Sequence, residues 1–274
     1  MGHISASRWI SGIPVPSSWV TPHSQSLNFN LSNLPRFSLA SSRATTSLFF
    51  TPGNLRLFQA GTAASLLKTI AVLQPAFAGL SAVDRVLDAL RFIDKRVKTT
   101  VYNHNTVVNP DKGQFEFDCS GMVNWILQRA APDAYAELKS DRPRVAEYVK
   151  ALRAVPYDKP SNGWRRVKKI ADAEPGDIIA WPTPDWYPSD ATGHMGVLAA
   201  KPEAVSGGYL LRLADATGYP HGEDTREGGT GFGYGTILVT LNPDTGEGTG
   251  QGWTGRYSGN TVIKTPIYVG RPLK

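Results

Sequence analysis

The 274-residue chain has one cysteine, Cys119, so it cannot form an internal disulfide. It also lacks any uninterrupted apolar run of roughly eighteen residues or more, the length that a membrane-spanning helix needs. We therefore predict a chain with no stable membrane span. In an exported protein, an unpaired thiol of this kind needs a reason to exist.

Metal-ligand spacing is missing as well. The candidate ligands are scattered, and no two histidines stand at the His-x-x-x-His spacing that places both side chains on one helix face. We expect neither a metal nor a cofactor. The residues considered are His104, His194, Asp215, His221 and Asp224.

Acidic residues are absent before Asp84, although five basic residues precede it. Without those five, the net charge of +6 falls to a near balance of 24 basic and 23 acidic residues. A basic surface for phosphate binding is therefore not expected, and we predict no nucleic-acid partner.

Residues 1–78 form a leader rich in Ser, Thr, Asn and Pro, with a composition that cannot fold on its own. The apolar stretch 66–78 ends in an Ala-x-Ala pattern, which predicts an export signal cleaved near Ala78 and a location in the periplasm or cell envelope. Two alternatives stay open: an organelle transit sequence, and a disordered tail with chance apolar content.

Residues 79–274 are predicted to form one α+β domain, because helical patterns come early and strand patterns late. The spacing of apolar residues predicts an amphipathic helix over 82–97 and surface helices over 133–138 and 145–152. Residues 102–116 are expected to be a loop, and the glycine run 228–235 a loop or bend. Strands are predicted at 177–182, 193–200, 208–216, 235–241 and 263–269.

Cys119 stands where polar residues give way to an apolar helical pattern, so we place its thiol in the first turn of a helix. Free N–H groups there favour a thiolate and predict a lowered pKa for Cys119. Asp118 fits the N-cap, and the Cys119 N–H fits an oxyanion-hole donor. The plain alternative is a buried core cysteine.

A histidine and a carboxylate follow on predicted strands. His194 opens the strand Gly-His-Met-Gly-Val, and Asp215 ends the next one. This order of cysteine, histidine and polar residue matches papain-like hydrolases, in which the imidazole serves as base and a third group orients it. His221 in the following loop is an alternative third residue, or a surface histidine.

The Asp-Cys-Ser-Gly box, the Pro-Gly-Asp strand entry at 175–177 and the Gly-His-Met-Gly-Val strand resemble NlpC-type cysteine peptidases of bacterial cell walls. The resemblance implies a papain-like α+β fold with the nucleophile helix packed on an antiparallel sheet. It also implies Cys119 as nucleophile, His194 as base and Asp215 as orienting residue. Candidate substrate contacts are Tyr102, Ser120 and His221.

The function that the resemblance implies is hydrolysis of amide bonds in peptidoglycan stem peptides, without a cofactor. An Asp in the third position and an insertion at 182–191 depart from the family pattern. Trp181, Trp186 and Tyr187 in this region fit either stacking on substrate or a structural plug. Two other functions stay open: acyl transfer or amidase action on another small acyl substrate, and an inactive wall-binding module.

Overall fold

The computed structural model describes residues 79–274, except Glu227 and Asn260. The predicted leader, with its cleavage site at Ala78, lies outside the described residues. Among those described, no helix is both long and apolar enough to cross a bilayer.

Four helices precede most of the strands. The first begins at a capping box, in which the hydroxyl of Ser81 accepts the N–H of Asp84 and the Asp84 carboxylate accepts the N–H of Ser81. The predicted helices are confirmed, with their bounds shifted by a few residues. They are α1 (Ala82–Arg96), α2 (Cys119–Ala130), α3 (Pro132–Ala136) and α4 (Val145–Ala154).

The strands form two sheets. A small mixed sheet lies before α2, and its order is β1-β3-β2. These strands are β1 (Thr99–Tyr102), β2 (Val107–Asn109) and β3 (Gln114–Phe117). Two of them, β2 and β3, fall in the segment 102–116, so the prediction of a loop there is wrong for them. The later strands are β4 (Trp164–Val167), β5 (Ile178–Pro182), β6 (Gly193–Leu198), β7 (Glu203–Val205), β8 (Gly208–Thr217), β9 (Gly231–Leu241), β10 (Gly248–Gly252) and β11 (Ile263–Pro272).

Six of the later strands close into an antiparallel barrel in the order β10-β9-β8-β6-β5-β11, and pairing of β10 with β11 completes the ring. β4 and β7 extend it on the outside. The prediction of a papain-like α+β fold, with the nucleophile helix on an antiparallel sheet, is therefore wrong. The described chain is mostly β, with few helices.

The strand that closes the barrel carries little sequence signal. β10 is Gly-Thr-Gly-Gln-Gly, without the β-branched alternation that predicts strands. Its glycines are needed for close packing, because a Cβ on Gly248 would lie 2.6 Å from the Cβ of Ile267. The other five barrel strands were predicted from their apolar patterns.

Apolar residues form two clusters, one between the helices and the barrel and one among alternate residues of the barrel strands. The first includes Val86, Met122 and Met195, and the second includes Trp181 and Leu213. α1 and α2 pack together as predicted, and α2 packs on β6 and β8. The start of α2 therefore lies against the barrel.

We predict that Arg271→Met lowers the free energy of unfolding by about 3 kcal/mol, because it strips the ion pair from a fully buried carboxylate. Arg271 donates to both oxygens of Asp177, at 2.8 and 3.0 Å. Urea denaturation measures the change. The control is Arg256→Met at the exposed pair with Glu203, which should cost less than about 1 kcal/mol. Equal losses for the two variants would contradict the prediction.

Candidate active site

Cys119 begins α2, and Asp118 caps it as predicted. The Asp118 Oδ1 accepts the backbone N–H of Gly121 at 2.6 Å and the hydroxyl of Ser120 at 3.0 Å. Its Oδ2 lies 3.3 Å from Arg142. The carboxylate therefore fixes the helix start and is used as a cap.

The sulfur of Cys119 lies against the strand that carries His194. It accepts backbone N–H groups from Met195 and Ser120. Met195 is free for this contact because β6 and β8 are in register only at two positions, Val197 with Ala214 and Leu198 with Leu213. The opening of this strand pair brings Cys119 into contact with Met195, 76 positions later in the chain.

The thiol is not ionised in the resting site. Only 6% of Cys119 is exposed, and burial raises its pKa to about 12, with the charges of Asp118 and Asp215 acting in the same direction. The two N–H bonds to the sulfur oppose this but do not offset it. The expectation of a lowered pKa is therefore wrong, because it considered the helix terminus without the desolvation.

His194 and Asp215 are in direct contact. The Nε2 of His194 lies 2.5 Å from the Oδ2 of Asp215, and the carboxylate is fully buried. Burial lowers the pKa of His194, although its bond to Asp215 opposes the shift. At neutral pH the imidazole is therefore uncharged.

Asp215 is the centre of a buried polar cluster. Burial alone would raise its pKa, but the charge of His221 and hydrogen bonds from both histidines hold it far below the usual range. The Nε2 of His221 lies 2.7 Å from the same Oδ2, and Arg226 donates to Oδ1 and, at 2.8 Å, to the Asp215 carbonyl. Arg226 also donates to Asp224 at 2.5 Å.

The protonation of His194 follows from this cluster. A carboxylate only accepts hydrogen bonds, so the Nε2 of His194 must carry the proton. In an uncharged ring the remaining nitrogen, Nδ1, then has a free lone pair. His194 is thus prepared to accept a proton at Nδ1.

The three residues expected to contact substrate differ in how far they are buried. Tyr102 is half-buried near Cys119, and burial raises its pKa above the usual range. Ser120 is buried and bonded to Asp118. His221 is neither on the surface nor open to substrate in this structure, because its side chain is fully buried beside Asp215.

The aromatic residues in and beside the insertion at 182–191 have two different roles. Trp181 is buried, with its ring centre 5.2 Å from that of His194, so it packs the site. Trp186 and Tyr187 are exposed and in edge contact with each other. Only these two are available for stacking on a bound molecule.

The sequence analysis did not identify Arg226 as a site residue. The glycine run 228–235 was the available signal, because glycines in a strand can mark places where a large side chain packs closely. Gly231–Leu241 is a strand, so the prediction of a loop over 228–235 is wrong for its second half. A Cβ on Gly233 would lie 2.5 Å from the Arg226 side chain, and one on Gly235 2.5 Å from that of His221. These glycines make room for the two buried side chains.

Of the candidate metal ligands considered from the sequence, three lie close enough together to bind one ion: His194, Asp215 and His221. Their separations of 2.5 and 2.7 Å are those of hydrogen bonds between the groups. The buried Arg226 guanidinium on the same carboxylate would also repel a cation. The cluster is therefore better suited to orienting an imidazole than to holding a metal.

The chain is 32% identical over 180 residues to an uncharacterized protein of Acanthamoeba polyphaga mimivirus, covering 76% of that protein and 56% of this chain. The chain belongs to the same family as this viral protein. No protein-family model matches the chain. No solved structure matches it either. Since the viral relative is uncharacterized, it supplies no activity.

We predict that stability falls as the pH drops below about 6.5, the ordinary pKa of histidine. His194 has a lowered pKa when folded, so in this range the unfolded chain binds a proton that the folded chain does not. This group contributes a slope of up to about 1.4 kcal/mol per pH unit. Asp215 acts only below its ordinary pKa of 3.8, where its contribution is lost.

The measurement is urea denaturation between about pH 5 and 7, the window set by the ordinary histidine pKa. His194→Gln keeps an N–H for Asp215 but cannot titrate, so its profile should be flatter than that of the wild type. His104→Gln is the matched control, because the His104 side chain is 77% exposed. A wild-type slope retained in His194→Gln would show the assignment to be wrong.

Proposed function

We propose that this protein is a cysteine hydrolase that cleaves amide bonds, with Cys119 as nucleophile, His194 as base and Asp215 as orienting residue. The observation that carries the proposal is the uncharged His194 held by a buried carboxylate on the strand that contacts the Cys119 sulfur. A core cysteine would not need such a neighbour.

The chemistry follows from the protonation states. Since the resting thiol is neutral, its proton moves to the Nδ1 of His194 as the sulfur attacks the substrate carbonyl. The imidazolium that forms is stabilised by Asp215 through Nε2–H. It then gives its proton to the leaving amine, and water attacks the acyl-enzyme with His194 again as base.

The oxyanion is assigned to the start of α2. The backbone N–H groups of the first helical turn have no partner within the helix, and the helix dipole favours negative charge there. The Cys119 N–H is the candidate donor. Asp118 accepts the Gly121 N–H, so it competes for only one of these groups.

The proposed substrates are stem peptides of peptidoglycan, in keeping with the resemblance of three sequence boxes to NlpC-type peptidases. This substrate class goes with export to the cell envelope after cleavage near Ala78. Burial of the thiol favours a second candidate, an inactive module that binds the cell wall. The two candidates, hydrolase and wall-binding module, are distinguished by whether the protein cleaves the peptide.

We expect the full chain to cleave purified muropeptides within the stem peptide, with products identified by mass spectrometry. Cys119→Ala and His194→Ala should abolish cleavage. Asp215→Asn, which disturbs the imidazole tautomer, should lower the rate by about 10²- to 10⁴-fold.

Asp133→Asn is the matched control on the exposed face of α3 and should leave the rate unchanged. Circular dichroism of each variant checks its folding. Cleavage that survives in folded Cys119→Ala would disprove the nucleophile. Binding of muropeptides without any cleavage by the wild type would favour the wall-binding module.

A further inference from the structure

Two surface cavities lie outside the candidate active site, and one of them is lined by residues next to the strand that carries His194. The first, the inner groove, has a volume of about 480 Å³ and is lined by Lys150, Arg153, Pro182 and Thr192. The second, the outer groove, has a volume of about 540 Å³. Its lining includes Tyr157, Arg166, Glu247, Lys264 and Tyr268.

The inner groove lies next to the start of β6. Thr192 in its wall precedes His194 by two residues, and Pro182 is paired with Gly193. Gly193 must stay small, because a Cβ there would lie 2.8 Å from a methyl group of Val145 on α4. The strand therefore lies tight against α4, whose outer residues form the other wall.

The two grooves share a border. The hydroxyl of Thr265, in the outer groove, donates to the carbonyl of Pro182 at 2.8 Å. Arg166, in the outer groove, donates to the backbone carbonyl of Arg153 at 3.4 Å, a second contact between the two linings. An elongated molecule can therefore lie along both grooves.

The charge of this surface is mostly positive. Within the described part of the chain, none of its four cationic side chains lies within 4.0 Å of a carboxylate: Lys150, Arg153, Arg166 and Lys264. The acid that lines the outer groove, Glu247, accepts the hydroxyl of Tyr157, and that bond and the charge of Arg166 help to lower the pKa of Glu247. The inner groove has no acid in its lining, so Lys150 and Arg153 repel each other there and a bound anion relieves that repulsion.

The aromatic residues hold one of these cations in place. The guanidinium of Arg166 lies 4.1 Å from the ring centre of Tyr157 and 5.3 Å from that of Tyr268. A guanidinium stacked in this way is preorganised for planar carboxylates.

We propose that the two grooves bind the non-reacting part of the substrate, a peptide with free carboxylates, and that Lys150 and Arg153 receive the carboxylate nearest the scissile bond. This proposal rests on the proposed function, because it takes the peptide to be the substrate of Cys119. It assigns specificity to α4 and the β11 side of the barrel.

The test uses the full chain with Cys119→Ala, so that binding is measured without turnover. The probes are a muropeptide with a free diaminopimelate carboxylate and the same muropeptide with that group amidated. Calorimetry should show about tenfold weaker binding of the free acid after Lys150→Glu with Arg153→Glu. Binding of the amide should change less than about threefold.

The matched control is Lys95→Glu with Lys98→Glu, the same change in net charge at the exposed end of α1. Equal weakening for both probes, or for the control, would overturn the groove assignment even if the wild type cleaves muropeptides. Charge-dependent binding without wild-type cleavage would support the groove and overturn the hydrolase. If neither probe binds, the groove proposal fails.

A second inference concerns His221 and rests on its hydrogen bonds. Its Nε2 faces the Asp215 carboxylate at 2.7 Å, and its Nδ1 faces the carbonyl of Trp253 at 3.3 Å. Both partners accept hydrogen bonds, so both ring nitrogens must donate. A ring that donates at both nitrogens is an imidazolium. The Trp253 ring, 4.0 Å away, offers its π face to such a cation.

The charges around the ring balance under this assignment. Two carboxylates face the cluster, Asp215 and Asp224, which accepts the His221 backbone N–H at 2.7 Å. Arg226 contacts both carboxylates, and the uncharged His194 ring lies 5.7 Å away. With His221 positive, two anions meet two cations. We infer that His221 is a buried imidazolium and a positioning residue that acts on His194 through Asp215.

Nitrogen-15 NMR of the histidine rings in the folded protein tests this. We expect both His221 nitrogens to carry protons, while His194 carries one. Assignment uses His221→Asn and His194→Gln, each checked for folding by its proton spectrum. A His221 ring with one proton in the folded protein would overturn the inference. In His221→Asn, the His194 ring should titrate at a higher pH than in the wild type, a change that lost packing alone would not produce.

Discussion

The candidate site depends on one buried carboxylate. Asp215 accepts hydrogen bonds from two imidazoles at one oxygen and from a guanidinium at the other, and none of it is exposed. A buried charge is tolerated only when it is paired and hydrogen-bonded in this way. The arrangement determines the tautomer of His194 and leaves its Nδ1 as a base. The proposed role of Cys119 depends on that nitrogen.

The barrel places these groups together. β6 and β8 carry His194 and Asp215, and their limited pairing admits the start of α2 with its sulfur. The glycines of β9 leave space for the His221 and Arg226 side chains. The site therefore has space for two reasons: β9 has glycines where it faces His221 and Arg226, and β6 pairs with β8 at only two positions.

Much of the secondary structure was predictable from apolar periodicity, including α1, α2 and five barrel strands. The closing strand β10 was not, because close approach to Ile267 selects glycine, which carries no strand signal. Without it, an open sheet with helices was the natural inference. The strands β2 and β3 were missed for a different reason, since the polar and Asn-rich segment 102–116 predicts a loop.

The principal site residues were named from the sequence, because residue type and order carry much of the chemistry of a cysteine hydrolase. Two features were beyond that reasoning. Arg226 lies in the loop between β8 and β9, where a charged residue is ordinarily exposed, and the pKa of Cys119 depends on desolvation that only packing reveals. A cysteine at a helix start is expected to be a thiolate when it is exposed to water and a neutral thiol when it is buried.

The account is tested most directly by the ultraviolet absorbance of the thiolate, recorded as a difference between the wild type and Cys119→Ser while the pH is raised. We predict no thiolate signal at pH 7, with absorbance appearing only as the pH approaches about 12. A thiolate step below about pH 6.5, the ordinary range of histidine, would contradict the account. It would mean that Cys119 and His194 exist as a preformed ion pair.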